Sequence, residues 1–280
     1  MHISNGKKFK QAMKEEKPLQ LAGTLNAFSA LMAKEVGFKA IYLSGAGIAN
    51  ISYGVPDIGM TTLENVLEEA GRILKAVDLP LIVDLDTGFD ENLKKAVDLL
   101  SCLKSAGIHI EDQVPQKKCG HLENKKLVST KEMCLKIKEA VNARQDPDFL
   151  IIARTDALSI EGEKQTLERA KSYKEAGADI LFLEAAKSLE QYSLFKKNLD
   201  MPILANLTEF GKTPIFSLEE LKNAGVDIAL YPLSASRAMQ KAAFNVYQDI
   251  RKNGSQKKSL PHMQTREELY KLLNYSDYNG

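Results

Sequence analysis

The stretch EAGADILFLEA, residues 175–185, joins the end of a predicted helix to a short apolar run through a glycine. A glycine just past the end of a helix is the common left-handed cap, so this layout predicts a helix that ends and a strand that begins. Three other segments have the same layout: EVGFKAIYL (35–43), SAGIHIED (105–112) and NAGVDIALYPL (223–233). Four more apolar runs bring the predicted strands to eight: LQLAGTL (19–25), PLIVDLD (80–86), FLIIARTDA (149–157) and PILANLTEF (202–210).

Amphipathic helical stretches separate these runs, among them 64–77, 92–106, 163–176 and 217–224. Several helix starts carry the capping-box pattern, in which a hydroxyl residue is followed three positions later by Glu or Gln. These pairs are Thr61/Glu64, Ser129/Glu132, Ser188/Gln191 and Ser217/Glu220. Strands that alternate with helices predict a parallel sheet, and eight such units predict a (β/α)8 TIM-type barrel.

The alternative is an open, doubly wound sheet, but the count of eight and the lack of an interrupting linker favour the barrel. We expect a single barrel domain over residues 1–280. A polar segment and the amphipathic TREELYKLLNY form a C-terminal helical appendage over 255–280, beyond the eighth unit. We expect this appendage to pack on a neighbouring subunit.

The composition excludes several classes of protein. The net charge of +1 gives no electrostatic reason to expect nucleic acid or an acidic membrane as a partner. No apolar run approaches the roughly 20 residues of a spanning helix, and the first residues lack the apolar core of a signal peptide. Three cysteines without a C-x-x-C pair argue against disulfides and structural zinc, so a reducing, cytoplasmic location is predicted. Cys102 and Cys134 are predicted to be small core residues.

Polar residues stand in inward-facing register at the ends of five successive predicted strands, where barrel active sites lie. They are Asp84 and Asp86, His109 and Glu111, Arg154 and Asp156, Glu184, and Asn206 and Thr208. Carboxylates without a supporting cysteine cage favour Mg2+ or Mn2+ over zinc. Arg154 is predicted to hold a substrate carboxylate. The alternatives are that the acids cap loops and that Arg154 makes a structural ion pair with them.

The loop at about 113–129 contains KKCGH, in which Cys119 has Lys117, Lys118 and His121 as neighbours. Flanking cations stabilise a thiolate, so Cys119 is a candidate proton donor or acceptor, with an idle exposed cysteine as the alternative. The segment SGAGIAN (44–50) is a weak match to a dinucleotide fingerprint because Asn50 replaces the third glycine. A tight turn whose amides meet a small anion, followed by a long loop, is the preferred interpretation.

Together the motifs KKCGH, YLSGAG with GVPDIGMTT, VDLDTGF, HIEDQ, ARTDA, LANLTEFGKTP, YPLSASRAM and MQTREELY resemble the 2-methylisocitrate lyases of the isocitrate lyase and phosphoenolpyruvate mutase superfamily. The resemblance extends from about residue 7 to 276. It implies a (β/α)8 barrel that binds Mg2+ and forms homotetramers with exchanged C-terminal helices. It also implies a lyase that cleaves the small tricarboxylate 2-methylisocitrate to pyruvate and succinate in the methylcitrate cycle of propionate catabolism.

The resemblance assigns roles to matching positions. Asp84 and Asp86 match the metal ligands, and Asp57 and His109 are expected next to them. The catalytic set is Cys119, Glu111, His121 and Lys117. The substrate-binding set is Ser44, Gly45, Ala46, Gly120, Arg154, Glu184, Asn206, Leu207, Thr208, Arg237 and Arg266. Three features depart from the family pattern: Ala46 replaces a glycine, Leu183 replaces a proline, and the segment before the fourth strand is shorter than usual.

The expected chemistry is a retro-aldol cleavage next to a hydroxyl group. Either Glu111 or a hydroxide on the metal would take the hydroxyl proton, and Cys119 would protonate the succinate carbanion. The alternatives are a related lyase acting on isocitrate or dimethylmalate, a non-catalytic carboxylate-binding barrel, and a nucleotide-dependent dehydrogenase.

Overall fold

A computed structural model describes residues 3–89, 92–115, 120 and 124–278. Its strands are β1 (Leu19–Gly23), β2 (Ala40–Leu43), β3 (Leu81–Asp84), β4 (Gly107–Glu111), β5 (Leu150–Thr155), β6 (Ile180–Leu183), β7 (Ile203–Asn206) and β8 (Ile228–Tyr231). Each strand pairs in parallel with the next along the chain, and β8 pairs in parallel with β1. The closed ring confirms the predicted barrel and excludes the open sheet.

Helices follow the strands and surround the barrel. They are α1 (Asn5–Glu15), α2 (Ala27–Glu35), α3 (Gly45–Gly47), α4 (Leu63–Ala76), α5 (Leu93–Cys102), α6 (Thr130–Ala143), α7 (Leu158–Glu175), α8 (Leu189–Asn198), α9 (Leu218–Asn223), α10 (Ser234–Asn253) and α11 (Arg266–Leu272). A kink at Gly162 divides α7, so its regular part begins near the predicted residue 163. No helix among the described residues is both long and apolar enough to cross a membrane.

Alternation along the strands separates two apolar cores. On β3, Leu81 and Val83 pack outward against the helices, whereas Ile82 joins the core inside the barrel. Phe9 of α1 belongs to that inner core. The amide of Asn5 donates to the carbonyl of Lys104 at 2.7 Å, just before β4. α1 therefore closes the amino-terminal end of the barrel and leaves the carboxyl-terminal end open.

The glycine pattern that predicted the fold is correct in three of its four segments. The glycines after α2, α7 and α9 have positive φ angles: Gly37, Gly177 and Gly225. The prediction is wrong for Gly107, which lies inside β4, while Lys104 takes the left-handed conformation with φ 63°. A Cβ at Gly107 would lie 2.4 Å from the carbonyl oxygen of Leu150. The missing side chain of Gly107 therefore allows β4 and β5 to pack closely. The segment before β4 is short compared with the family pattern, but β4 still takes its place in the barrel.

Two predicted capping boxes form, at Ser129/Glu132 and Ser217/Glu220. Two predictions are wrong. The N-cap of α4 is Thr62, one residue after the predicted Thr61, and its reciprocal partner is Asn65. At α8 the Ser188 side chain makes no capping bond, and Gln191 instead accepts from the amide of Lys187 at 2.7 Å.

Two other local predictions are also wrong. The turn at Ser44 continues into the short α3 and a π-helical turn (Ile48–Ser52) rather than directly into a long loop. Cys102 is exposed because it is the last residue of α5, and Cys134 is only half-buried.

The C-terminal segment follows β8 as α10, a 3-10 helix (Lys257–His262), α11 and a further 3-10 turn (Tyr275–Tyr278). Along α10, all of which is described, Ser236 is the one buried residue, while Phe244 and Tyr247 are 55% and 71% exposed. Lys271 of α11 pairs with Glu35 of α2 at 2.8 Å.

Candidate active site

A cavity of about 180 Å3 opens at the carboxyl-terminal ends of the strands. Eleven of its lining residues carry predicted roles: Ser44, Ala46, Asp57, Asp84, Glu111, Gly120, Arg154, Glu184, Asn206, Thr208 and Arg237. Six others line it without such a prediction: Tyr42, Asn50, Phe182, Leu230, Pro232 and Leu233. Tyr42, Phe182 and Leu230 belong to the inner core, so the inward-facing register that located the polar residues could have found them.

Asp84, the last residue of β3, and Asp86 both have a carboxylate oxygen close to Gly45. The carboxylate of Asp84 accepts from the backbone amides of Gly45 at 3.0 Å and Asp86 at 2.9 Å. A Cβ at Gly45 would lie 3.0 Å from Oδ1 of Asp86 and 3.2 Å from Oδ2 of Asp84. Both aspartates are 6% exposed. Gly45 therefore leaves a cradle between two fixed carboxylates, which a side chain would partly fill.

This donor set fits a magnesium ion better than zinc. Within the described ranges, no group of three or more His, Cys, Asp or Glu side chains forms a complete protein cage. Mg2+ is usually held by one or two carboxylates and completes its octahedron with water and substrate oxygens, whereas structural zinc needs four tetrahedral ligands. Asp84 lines the cavity and Asp86 lies beside it without being among the described lining residues, so the two carboxylates fit the small protein contribution that Mg2+ needs.

His109 is buried next to Asp84, the residue predicted to bind the metal. Asp84 and His109 are register partners on β3 and β4, and Nδ1 of His109 is 3.2 Å from Oδ1 of Asp84. The Tyr42 hydroxyl is 3.1 Å from the same nitrogen. Burial and the nearby Asp84 raise the pKa of Tyr42 well above its ordinary value, so its phenol stays protonated.

Arg154 lines the cavity and makes ion pairs with neighbouring acids, while its role in holding a substrate carboxylate stays a prediction. Its Nε donates to Oδ2 of Asp156 at 2.9 Å, and its Nη1 is 3.3 Å from Oε2 of Glu111. Burial alone would lower the pKa of Arg154, but Asp156, Glu111 and Glu184 together raise it well above its ordinary value. The guanidinium is therefore a permanent cation at the cavity wall.

The wall next to Arg154 carries amide and carboxylate groups. Nδ2 of Asn206 donates to Oε2 of Glu184 at 3.2 Å, and Oδ1 of Asn206 has no hydrogen-bond partner among the described residues. A Cβ at Gly120 would lie 2.2 Å from Nη2 of Arg154 and 2.4 Å from Oε1 of Glu184. The backbone of Gly120 thus packs directly against two polar side chains of the cavity.

Other predicted residues lie elsewhere. The side chain of Leu207 is 2% exposed and packs in the outer core, because it follows the inward-facing Asn206 by one position. Arg266 is the first residue of α11 and is absent from the described lining. Neither side chain is among the described lining residues of this chain, and the substrate-binding roles of Leu207 and Arg266 stay predictions. The amide of Gly45 is engaged by Asp84. Cys119, Lys117 and His121 lie outside the described residues.

The charges of the described lining are unequal. It contains the carboxylates of Asp57, Asp84, Glu111 and Glu184 but only the guanidinium groups of Arg154 and Arg237. Arg237 is 47% exposed on its side chain and pairs with Glu209 at 3.5 Å. An anionic ligand entering this cavity meets an excess of negative charge unless a cation accompanies it.

Comparisons with known proteins agree with this geometry. Residues 9–251 match the family model described as phosphoenolpyruvate phosphomutase. The chain is 52% identical to 2-methylisocitrate lyase of Shewanella oneidensis, over 98% of this chain and 95% of the relative, and 51% identical to that of Vibrio cholerae, over 99% and 93%. It is also similar to a crystal structure of 2,3-dimethylmalate lyase, with 30% identity, a TM-score of 0.91 and coverage of 99% and 94%.

Proposed function

This chain belongs to the phosphoenolpyruvate mutase and isocitrate lyase superfamily, and we propose that it is the lyase that cleaves 2-methylisocitrate to pyruvate and succinate. The observation that carries the proposal is one cavity lined by both the buried carboxylate of Asp84, with Asp86 beside it, and the guanidinium group of Arg154. That arrangement suits a hydroxy acid whose carboxylates need both a metal ion and an arginine. The relatives named 2-methylisocitrate lyase are much more similar to this chain than the dimethylmalate lyase is.

Asp84 and Asp86 would hold Mg2+, with Mn2+ as a possible substitute because it accepts the same oxygen ligands. When bound, the ion supplies positive charge that stabilises the negative charge developing on the oxygens of the pyruvate half. The excess of carboxylates in the lining supports this assignment, since a tricarboxylate would otherwise be repelled.

The chain's own groups bind and orient the substrate. Arg154 presents its guanidinium group to a substrate carboxylate, and Arg237 at the mouth offers a second. Oδ1 of Asn206 can accept a hydrogen bond from a substrate hydroxyl. Glu111 is 2% exposed, lines the cavity and lies 3.3 Å from Arg154, so it is a candidate base for the hydroxyl proton.

Cys119 is our candidate for the proton donor to the departing succinate carbanion, with Lys117 and His121 as neighbours that tune its thiol. Support comes from the next residue in the sequence, because the Gly120 backbone packs against Arg154 and Glu184. The carbanion carbon would receive the proton that the thiol gives up, which completes succinate.

An apolar part of the lining fits the methyl group that distinguishes this substrate from isocitrate. Phe182, Leu230 and Pro232 border the same cavity as the polar groups. One methyl group in such a pocket contributes about 1–3 kcal/mol, which corresponds to roughly a 10- to 200-fold preference.

A side-by-side kinetic assay tests the proposal. We expect pyruvate release from 2-methylisocitrate, slower turnover of isocitrate and 2,3-dimethylmalate, loss of activity with EDTA and recovery with Mg2+. Faster turnover of dimethylmalate or isocitrate would identify a different lyase of the superfamily. Metal-dependent binding of the ligand without any product would identify a binding protein instead.

We also propose a homotetramer in which C-terminal helices are exchanged between subunits. An apolar groove between α2 and the start of α10 is lined by Met32, Val36, Phe38 and Met239, and Val36 is 74% exposed. The exposed face of α10 with Tyr247 is a complementary apolar surface. Light scattering should give the mass of four chains, and Tyr247→Asp should reduce it. The methylcitrate cycle and the cytoplasmic location stay predictions.

A further inference from the structure

Lys125 is a buried cation that belongs to none of the predicted catalytic, substrate-binding or metal-binding sets. Its side chain is 1% exposed, and a lysine is buried to this extent only when its charge is paired. The ammonium group lies 2.7 Å from Oδ1 of Asp156 and also donates to the carbonyl of Gly120. One side chain therefore joins the segment that carries Gly120 to the end of β5.

Asp156 is shared between Lys125 and Arg154. Its Oδ1 accepts from Lys125 and, at 3.2 Å, from Nη2 of Arg154, while its Oδ2 accepts from Nε of Arg154 at 2.9 Å. The backbone amide of Asp156 donates to Oδ1 of Asp112 at 2.9 Å, which anchors the backbone of Asp156. Arg154 is thus held in one orientation by an acid that Lys125 partly neutralises.

The charge around Arg154 shows why a second cation matters. Arg154 lies near the three carboxylates of Asp156, Glu111 and Glu184. Without Lys125 one guanidinium group would face all three, and a substrate carboxylate would approach a more negative wall. At low local dielectric such an unbalanced charge weakens anion binding strongly.

Lys125 also holds Gly120 where it touches the cavity. The carbonyl of Gly120 accepts from the ammonium group, and the Cα of the same residue packs against Arg154 and Glu184. We propose that Lys125 is a positioning residue of this site, which balances Asp156 so that Arg154 can bind a substrate carboxylate and which fixes the Gly120 backbone beside it. This inference rests on the proposed function for the identity of the substrate.

The test uses the full-length chain with Lys125→Met and with Lys125→Arg, the conservative variant that keeps the positive charge. The matched control is Lys126→Met, since Lys126 is the exposed neighbour. We expect Lys125→Met to raise KM for 2-methylisocitrate about tenfold, with a smaller change in kcat, and Lys126→Met to leave both unchanged. Lys125→Arg keeps a cation beside Asp156 and should hold KM within about threefold of the wild-type value.

An unchanged KM in Lys125→Met, or a KM in Lys125→Arg that is no better than that of Lys125→Met, would overturn the proposal. A merely structural role predicts the second result, because the larger arginine disturbs the packing of this buried site as methionine does. If the wild-type chain releases no pyruvate, the proposed function fails by itself. In that case, calorimetric titration with succinate and Mg2+ tests the role of Lys125 separately. Lys125→Met should weaken succinate binding and Lys126→Met should not.

Discussion

Gly45→Ala is the substitution that most directly tests the metal site. Gly45 is the first residue of α3, and its φ is not positive, so alanine meets no backbone strain there. The new methyl group would lie 3.0 Å from Oδ1 of Asp86 and 3.2 Å from Oδ2 of Asp84. Both distances are shorter than ordinary contacts, and both neighbours are the carboxylates assigned to Mg2+.

The size of the effect follows from these distances. The carboxylate oxygens must move by a few tenths of an ångström to restore ordinary contact. Mg2+ demands a nearly ideal octahedron with bonds of about 2.0–2.1 Å and tolerates such shifts poorly. We expect Mg2+ to bind about tenfold more weakly, which corresponds to about 1.4 kcal/mol.

The assay is calorimetric titration of Mg2+ without substrate, together with the Mg2+ concentration that gives half-maximal pyruvate release. The matched control is Gly71→Ala, because a Cβ at Gly71 meets nothing within 4 Å. Gly71 lies in α4, so alanine should stabilise the fold by about 0.5–1 kcal/mol and leave Mg2+ affinity unchanged. If Gly45→Ala bound Mg2+ as tightly as the wild type, the two aspartates would not be its ligands.

Three further predictions concern the proton donor, the carboxylate clamp and the pH dependence of stability. Cys119→Ser should keep the fold and Mg2+ affinity but lose about 100-fold in kcat for pyruvate release; a rate near the wild-type value would remove Cys119 from the mechanism. Arg154→Lys should lose the two-point contact with Asp156 and lower kcat/KM about 100-fold. An unchanged kcat/KM would show that the two-point contact of the guanidinium group is not needed for activity. The hydrogen bond from Arg169 lowers the pKa of Glu161 below its ordinary value of 4.5, so this pair stabilises the native state above that pH and loses its effect as pH falls through the lowered pKa. Thermal unfolding should therefore give a lower Tm for Glu161→Gln at pH 7 and a difference that vanishes in acid; a difference independent of pH would contradict the argument.

The sequence located most of the cavity because two simple rules apply to barrel strands. Side chains alternate inward and outward, and polar residues at the carboxyl ends of parallel strands meet at one edge. These rules predict that Asp84, Glu111, Arg154 and Asn206 meet, and all four line one cavity. The same alternation, applied to Leu207, would have shown that its side chain packs outward.

Other errors arose where local patterns have more than one physical cause. Gly107 looked like a helix cap, but its small size serves the contact with Leu150 of the neighbouring strand. Cys102 looked like a core residue because its neighbours are apolar, yet it is the last residue of α5 and exposed there. Neither outcome follows from the spacing of residues along the chain.

Helix caps and strand alternation are local properties of the chain, so the order of residues is enough to predict the eight-stranded barrel and the end at which its polar residues collect. Two contacts are visible only in the folded chain. Lys125 and Asp156, 31 residues apart, pair beside Arg154, and Gly45, in the turn after β2, faces the two aspartates at the end of β3. Such contacts depend on the closure of the barrel, which brings distant segments within a few ångströms of each other. Distances across that closed ring are not encoded in any one segment.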